Sequence, residues 1–254
     1  MRVLVCIKRV PAPGARIVIT PDGRSIDTTH LGFTMSPHEE CAVAEAVRLA
    51  EANGGHSTVL TAGPPEAEEQ LRYAISVGVD SAILITTDGS DWDAIRTATA
   101  ISGAITTAED RDGPFDLVLF GNESADSGGY QVGVRTAHAL GRPMVNGAKA
   151  IEVDGEAVVV RRSTDTGFEV YRLQLPAVVG VKEGINVPSY PTLKGRLASK
   201  RAQPEQLEVE APPGPQQMVS MLTPVEQISE TVMLGEGAAA APRIVDVLEQ
   251  LGVV

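Results

Sequence analysis

Up to Asn146 the chain alternates short unbroken apolar runs with stretches whose apolar residues recur at helical intervals. Residues 3–7, 57–62, 82–86 and 117–120 are the runs, rich in Val, Leu and Ile without a polar alternation. That texture suits strands covered on both faces, and strands separated by helical patterns predict a parallel sheet with crossover helices. Residues 16–20 and 24–27, with Pro21, Asp22 and Gly23 between them, predict a hairpin inserted after the first strand.

The helical stretches carry their own end signals. Ser36, Pro37 and Glu39 have the spacing of an N-cap, a first-turn proline and a capping-box glutamate. Val43, Ala46, Val47 and Ala50 follow at helical spacing, and Gly54 supplies a stop. Residues 65–77, 92–108 and 130–140 read as the next three helices. After Lys149 the pattern changes: residues 150–153, 157–161, 169–175 and 177–181 read as antiparallel strands, with Asp154-Gly155 as a turn. Residues 182–201 are rich in Pro, Gly and small polar side chains, and 210–215 form a Pro-rich linker. Residues 241–251 form one last amphipathic helix, apolar at Ile244, Val247, Leu248 and Leu251. A single helix cannot bury such a face alone, so it is expected to pack on another chain. The fold class is therefore α/β: a mostly parallel, doubly wound sheet with an antiparallel extension and a C-terminal arm.

Composition narrows the chemistry. Twenty-one basic residues against 33 acidic ones give a net charge of −12, which argues against a nucleic-acid or anionic-membrane binder. No apolar stretch approaches the roughly 20 residues that span a bilayer, and the apolar run after Met1 is too short for a signal peptide, so a cytoplasmic location is expected. Cys6 and Cys41 form no CxxC pair, and the four histidines lack metal-ligand spacing, so no metal site is expected. No nucleophile–base pair or motif-spaced carboxylate pair stands out, and no catalytic residue is assigned.

A dinucleotide fingerprint or Walker sequence would follow the first strand, where the chain instead has Lys8-Arg9-Val10-Pro11-Ala12-Pro13-Gly14. The informative loop follows the fourth run: Gly121, Asn122, Glu123, Ser124, Ala125, Asp126, Ser127, Gly128, Gly129, Tyr130, Gln131 and Val132. It joins a buried strand to a helix at the carboxyl edge of the sheet. Small residues there leave backbone N–H groups accessible, and a helix N-terminus adds partial positive charge, so a phosphate is satisfied without Lys or Arg. The same residues also suit an ordinary capped loop. Ser36-Pro37 suits helix capping, Ala62 a strand-to-helix turn, Cys6 a small buried apolar group and His38 the surface of a first helical turn. In residues 181–201, Tyr190 and Leu193 stand among polar residues, with Lys194, Arg196, Lys200 and Arg201 forming a basic patch. A stiff loop with an apolar tip suits partner docking; a crossover whose Leu folds back on its own core is equally consistent.

These motifs carry a resemblance across essentially the whole length. Lys8-Arg9-Val10-Pro11, Met35-Ser36-Pro37 followed by Ala44-Glu45-Ala46, Thr61-Ala62-Gly63-Pro64 and the loop at 121–133 occur in the order found in the β subunits of electron-transfer flavoproteins. Most specific is Glu183-x-Ile185-Asn186-x-Pro188-x-Tyr190-Pro191, with Lys194-Gly195 and Ala198-x-Lys200 behind it. The chain resembles that family, with Ser36 where Asn is commoner. The resemblance implies an adenine-nucleotide-binding domain over residues 1–200, with a recognition loop at about 182–201, and an arm over 201–254 that packs on an alpha subunit. It further implies that the alpha subunit holds FAD and that this chain holds AMP at Cys6, Ser36, Pro37, His38, Glu39, Ala62 and the loop from Gly121 to Val132. Tyr190 and Leu193 would dock acyl-CoA or related dehydrogenases, and a membrane-bound quinone oxidoreductase would receive the electrons. The chain itself would be a carrier subunit and not an enzyme. A bifurcating branch of the family binds a second FAD in place of AMP. A stand-alone adenine-nucleotide-binding regulator is the alternative from a different class.

Overall fold

The computed structural model describes residues 1–224 and 231–253; residues 225–230 and 254 of the expected arm lie outside the described residues. In chain order the elements are β1 (Arg2–Cys6), β2 (Val10–Pro11), β3 (Phe33–Thr34), α1 (Pro37–Ala52), β4 (His56–Gly63), α2 (Glu68–Ser76), β5 (Ser81–Thr86), α3 (Ala94–Asp112), β6 (Leu117–Gly121), α4 (Val132–Ala139), β7 (Met144–Asp154), β8 (Ala157–Thr164), β9 (Gly167–Gln174), β10 (Ala177–Val181), α5 (Leu193–Arg201), β11 (Glu205–Leu207) and α6 (Ala241–Gln250).

Nine strands form one sheet in the order β11-β5-β4-β1-β6-β10-β7-β8-β9. All neighbours are parallel except at β7–β8 and β8–β9, which are antiparallel. The two-residue periodicity of a strand sends Val3 and Val5 to one face and Leu4 and Cys6 to the other. The first pair packs with residues of α1 and α2, the second with residues of α3 and α4, so the sheet is covered on both faces as expected of a doubly wound fold.

α1 begins where the capping signal falls. Ser36 Oγ accepts from Glu39 N–H at 3.2 Å, the Glu39 carboxylate accepts from Ser36 N–H at 2.8 Å, and Pro37 occupies the first turn. α3 starts at Ala94 behind an Asp93 cap and runs to Asp112, four residues beyond the expected end, where Gly113 stops it with φ at 89°.

Four expectations need correction. The hairpin over residues 16–27 is short: Ile19 bridges Ile26, flanked by Thr20 N–H to Ser25 O at 2.9 Å and Asp27 N–H to Val18 O at 2.7 Å. It extends no further because Ile17 and Val18 stay half-exposed and a two-stranded ribbon without a buried face has little to stabilise it. The strand pair after β1 is instead β2 with β3. β10 is no antiparallel extension strand: all five of its residues are buried, and it lies parallel between β6 and β7. Its unbroken apolar run belongs with the central strands. β7 begins at Met144, runs parallel to β10, then turns antiparallel to β8 through an irregularity. The segment at 182–201 is not all loop, since α5 starts at Leu193 behind a Thr192 cap. α5 packs on α2, where Gly195 is required: a Cβ there would lie 2.0 Å from Ser76 O.

β11 adds an edge strand beside β5 that the pattern did not reveal, since three residues are too few for a periodicity. α6 buries none of its residues among those described. No helix among the described residues is long and apolar enough to cross a membrane.

Candidate functional site

From β1 the chain passes to β4 and β5 on one side, then returns to β6 on the other side of β1. The winding reverses between β1 and β6, and α/β sheets form their ligand crevice outside the carboxyl ends of strands at such a point. The segments leaving β1 and β6 flank it, and the first turn of α1 closes against them. Gly121 makes that approach possible: a Cβ there would lie 2.6 Å from Glu39 Cγ and 3.1 Å from Glu39 N.

Glu39 is the internal tie of the site. It is 5% exposed, and while one carboxylate oxygen serves the capping box, the other accepts from Lys8 N–H at 2.7 Å. Burial pushes its carboxyl from 4.5 up to about 7, against the lowering effect of the Ser36 and Lys8 hydrogen bonds. Since the folded value lies above the unfolded one, the native state holds this proton more tightly between about pH 4.5 and 7, and stability falls as pH rises through that window. The loss approaches about 3 kcal/mol. Glu39→Gln cannot ionise and is expected to remove that slope, while losing one acceptor. Urea unfolding at pH 5 and 7.5 checks this; equal slopes in both proteins would mean that the carboxylate is solvated.

Across the crevice, residues 121–131 form a loop whose two carboxylates both have cationic or donor partners. Lys8 Nζ lies 2.5 Å from Asp126 Oδ2. Burial alone would raise the Asp126 carboxyl, and the Lys8 ammonium overrides it, holding the group below its ordinary value. Glu123 Oε1 is 3.1 Å from His38 Nε2, and Ser36 Oγ donates to Glu123 O at 3.3 Å. Ser124 and Ser127 hydroxyls pair at 3.0 Å, and Gly128 N–H closes the turn onto Ser124 O at 3.1 Å. Gly128 and Tyr130 both adopt left-handed φ of 54°, which puts Tyr130 outside α4 and exposes it. Asn122 N–H donates to Val181 O at 2.8 Å, tying the loop to β10.

Two observations bear on an anion. No side chain among the described residues caps α4, so its first N–H groups are free of a capping oxygen from them behind Gln131. A Cβ added at Gly129 meets no atom within 4 Å, so its backbone borders open space. With the loop carboxylates countered, backbone donors and the helix dipole are what an incoming phosphate would meet.

Ser36, His38 and Glu39 meet the loop at Glu123 and Gly121, and Pro37 lies beside them in the first turn of α1. Cys6 ends β1, and Ala62 is the last residue but one of the neighbouring β4, at the same edge. Burial, and secondarily Glu39, pushes the Cys6 thiol far up, so it packs as a small apolar group. His38 departs from the surface position read for it: its side chain is 14% exposed and bonded at both ring nitrogens. Lys8 belongs to the motif after β1 and not to the expected site residues; only the folded chain brings it to Asp126, 118 positions away. Tyr190 and Leu193 lie outside the crevice, 91% and 78% exposed.

Residues 24–212 match the family described as electron transfer flavoprotein domain. Among curated relatives, the electron transfer flavoprotein subunit beta of Mycobacterium leprae is 36% identical over 78% of this chain and 76% of its own. The protein of that name from Thermoanaerobacterium thermosaccharolyticum is 32% identical over 77% and 73%. That of Bacillus subtilis is 30% identical over 98% and 97%, so the likeness extends beyond residue 212. The chain therefore belongs to the electron transfer flavoprotein family, as a beta subunit.

Proposed function

We propose that the chain is the AMP-binding half of a cytoplasmic two-subunit electron carrier. Its alpha partner holds FAD, which supplies the redox chemistry. This chain binds AMP and helps to dock acyl-CoA or related dehydrogenases, and the carrier then delivers electrons to a quinone oxidoreductase. Residues 1–200 form the nucleotide-binding domain and residues 201–254 the arm that packs on alpha. The observation that carries the nucleotide reading is the open backbone at Gly129 before the side-chain-uncapped α4, beside the switch point. In this reading Gly128, Gly129 and the first turn of α4 hold the phosphate, and the first turn of α1 borders the nucleotide.

The test is co-expression with the alpha subunit, denaturation, and identification of the released nucleotides. One AMP and one FAD per heterodimer are expected. Gly129→Val should lower the AMP content several-fold, because its Cβ meets no described atom within 4 Å and its branches would stand in the space in front of the backbone. FAD in the dimers that form should stay at one. Full AMP occupancy in the variant would displace the phosphate from this loop, and release of two FAD without AMP would assign the chain to the bifurcating branch.

A further inference from the structure

The His38 ring stands between the nucleotide loop and the segment that leads to Leu193. Its Nδ1 accepts the Glu183 N–H at 2.8 Å, and its Nε2 lies 3.1 Å from Glu123 Oε1. An amide N–H only donates, so Nδ1 carries no hydrogen and Nε2–H is the donor to Glu123. The result is a directed bridge from Glu183 through the ring to the loop. Three residues further on, Asn186 Nδ2 donates to Cys41 O at 3.0 Å and to Glu45 Oε2 at 3.1 Å. Glu45 is itself buried and bonded by Arg48 Nε at 3.0 Å. Residues 183–186 are thus pinned to α1 at two points. Beyond them the chain has no regular structure until α5, and Val187 and Tyr190 are about nine-tenths exposed. Lys149 Nζ also donates to Glu183 O, so the placement of Tyr190 and Leu193 rests on these ties to α1 and β7 at one end and on α5 against α2 at the other.

Of the two pins, the one at Asn186 is remote from the nucleotide loop, and the one at His38 touches it. We propose that His38 couples nucleotide binding to the order of the docking segment. A nucleotide on residues 121–132 holds the loop and with it Glu123. A held Glu123 keeps the ring in the plane that offers Nδ1 to Glu183, and the segment from 183 to 193 loses freedom. His38 is a positioning residue in this scheme, and the coupling is one of ordering, without a change of fold. It is reciprocal: whatever fixes the docking segment also tightens nucleotide binding. The inference rests on the nucleotide and docking readings above.

Amide hydrogen exchange on the FAD-loaded heterodimer tests it, comparing nucleotide-stripped protein with protein at saturating AMP. AMP is expected to slow exchange in residues 121–131 and also, by about fivefold, in residues 183–193, the low end of coupling between sites. His38→Asn keeps an acceptor near the Nδ1 position and falls short of Glu123. In that variant saturating AMP should still slow 121–131 and no longer slow 183–193. Comparing each protein with and without AMP cancels any general loss of stability, a loss that a purely structural role would produce. If His38→Asn does not fold, His38→Gln, which keeps the reach to Glu123 and loses the acceptor for Glu183, should give the same uncoupled pattern. A wild type in which 121–131 slows and 183–193 does not would overturn the coupling and leave the nucleotide reading standing. A wild type in which neither segment responds would overturn both. A variant in which both segments still slow would remove His38 as the link.

Discussion

Replacing Leu193 by alanine should weaken docking of the electron-donating dehydrogenase at least tenfold and leave the carrier's thermal unfolding and flavin spectrum unchanged. Leu193 opens α5 and is 78% exposed, so its side chain supports little of its own subunit. Truncation to alanine costs helix formation nothing, and Thr192 keeps its cap on Gly195 N–H. Val187, Tyr190 and Leu197 are exposed nearby, and Lys194, Arg196, Lys200 and Arg201 surround them with positive charge on a chain of net charge −12. An apolar anchor inside a charged rim is the composition of an interface centre, and truncating such an anchor costs about 2 kcal/mol or more. At about 1.4 kcal/mol per decade this exceeds tenfold. Dehydrogenase-to-flavin electron transfer, measured against carrier concentration, reads the docking, and calorimetry on the same protein reads the stability. A Leu193→Ala protein that unfolds early yet accepts electrons normally would show that this leucine belongs to its own core.

The second large effect concerns the arm. Ile244, Val245, Val247 and Leu251 are between 36% and 70% exposed, and α6 buries no residue among those described. Covering the exposed part of four such side chains is worth about 1 kcal/mol each, half or less of a full burial. A chain ending after Gly235 should therefore bind the alpha subunit about a thousandfold more weakly, from about 4 kcal/mol at about 1.4 kcal/mol per decade. The nucleotide domain should survive the truncation, because α3 and the sheet already hold the arm's first residues: Val209 lies against Gly103, and Arg96 Nε donates to Ala211 O at 3.2 Å. Heterodimer dissociation measured by sedimentation, with circular dichroism of the truncated chain as control, decides the matter. An affinity within a few-fold of the intact chain would place the arm elsewhere than on alpha.

Much of this molecule was legible before folding was considered. Buried parallel strands announce themselves as unbroken Val, Leu and Ile runs, and β1, β4, β5 and β6 lie where those runs lie. The start of α1 follows from Ser36, Pro37 and Glu39, because a cap is a bargain among residues within four positions. The loop at 121–132 was readable as a Gly- and Ser-rich connection at the carboxyl edge of the sheet, from its glycines and its place after a strand. What failed was the length of the hairpin at 16–27, the pairing of β10 and the loop character of 193–201. In each case the deciding contact was not local: an absent covering face, two parallel neighbours, and α2 beneath Gly195.

Residue order alone thus set the α/β class, the cap of α1, the strand-to-helix loop at 121–132 and the family. The tertiary structure decided what those parts do to one another. Glu39 reads in sequence as a capping residue, and only the close approach of the segment after β1 makes it the tie to Lys8, 31 positions away. His38 reads as a surface residue, and the fold sets it between Glu123 and Glu183, 85 and 145 positions distant. The physical reason is range. Capping and periodicity act within a few residues, where chain geometry is already defined. A hydrogen bond between distant residues requires the path of the chain between them, which the packing of the nine-stranded sheet and its covering helices settles together.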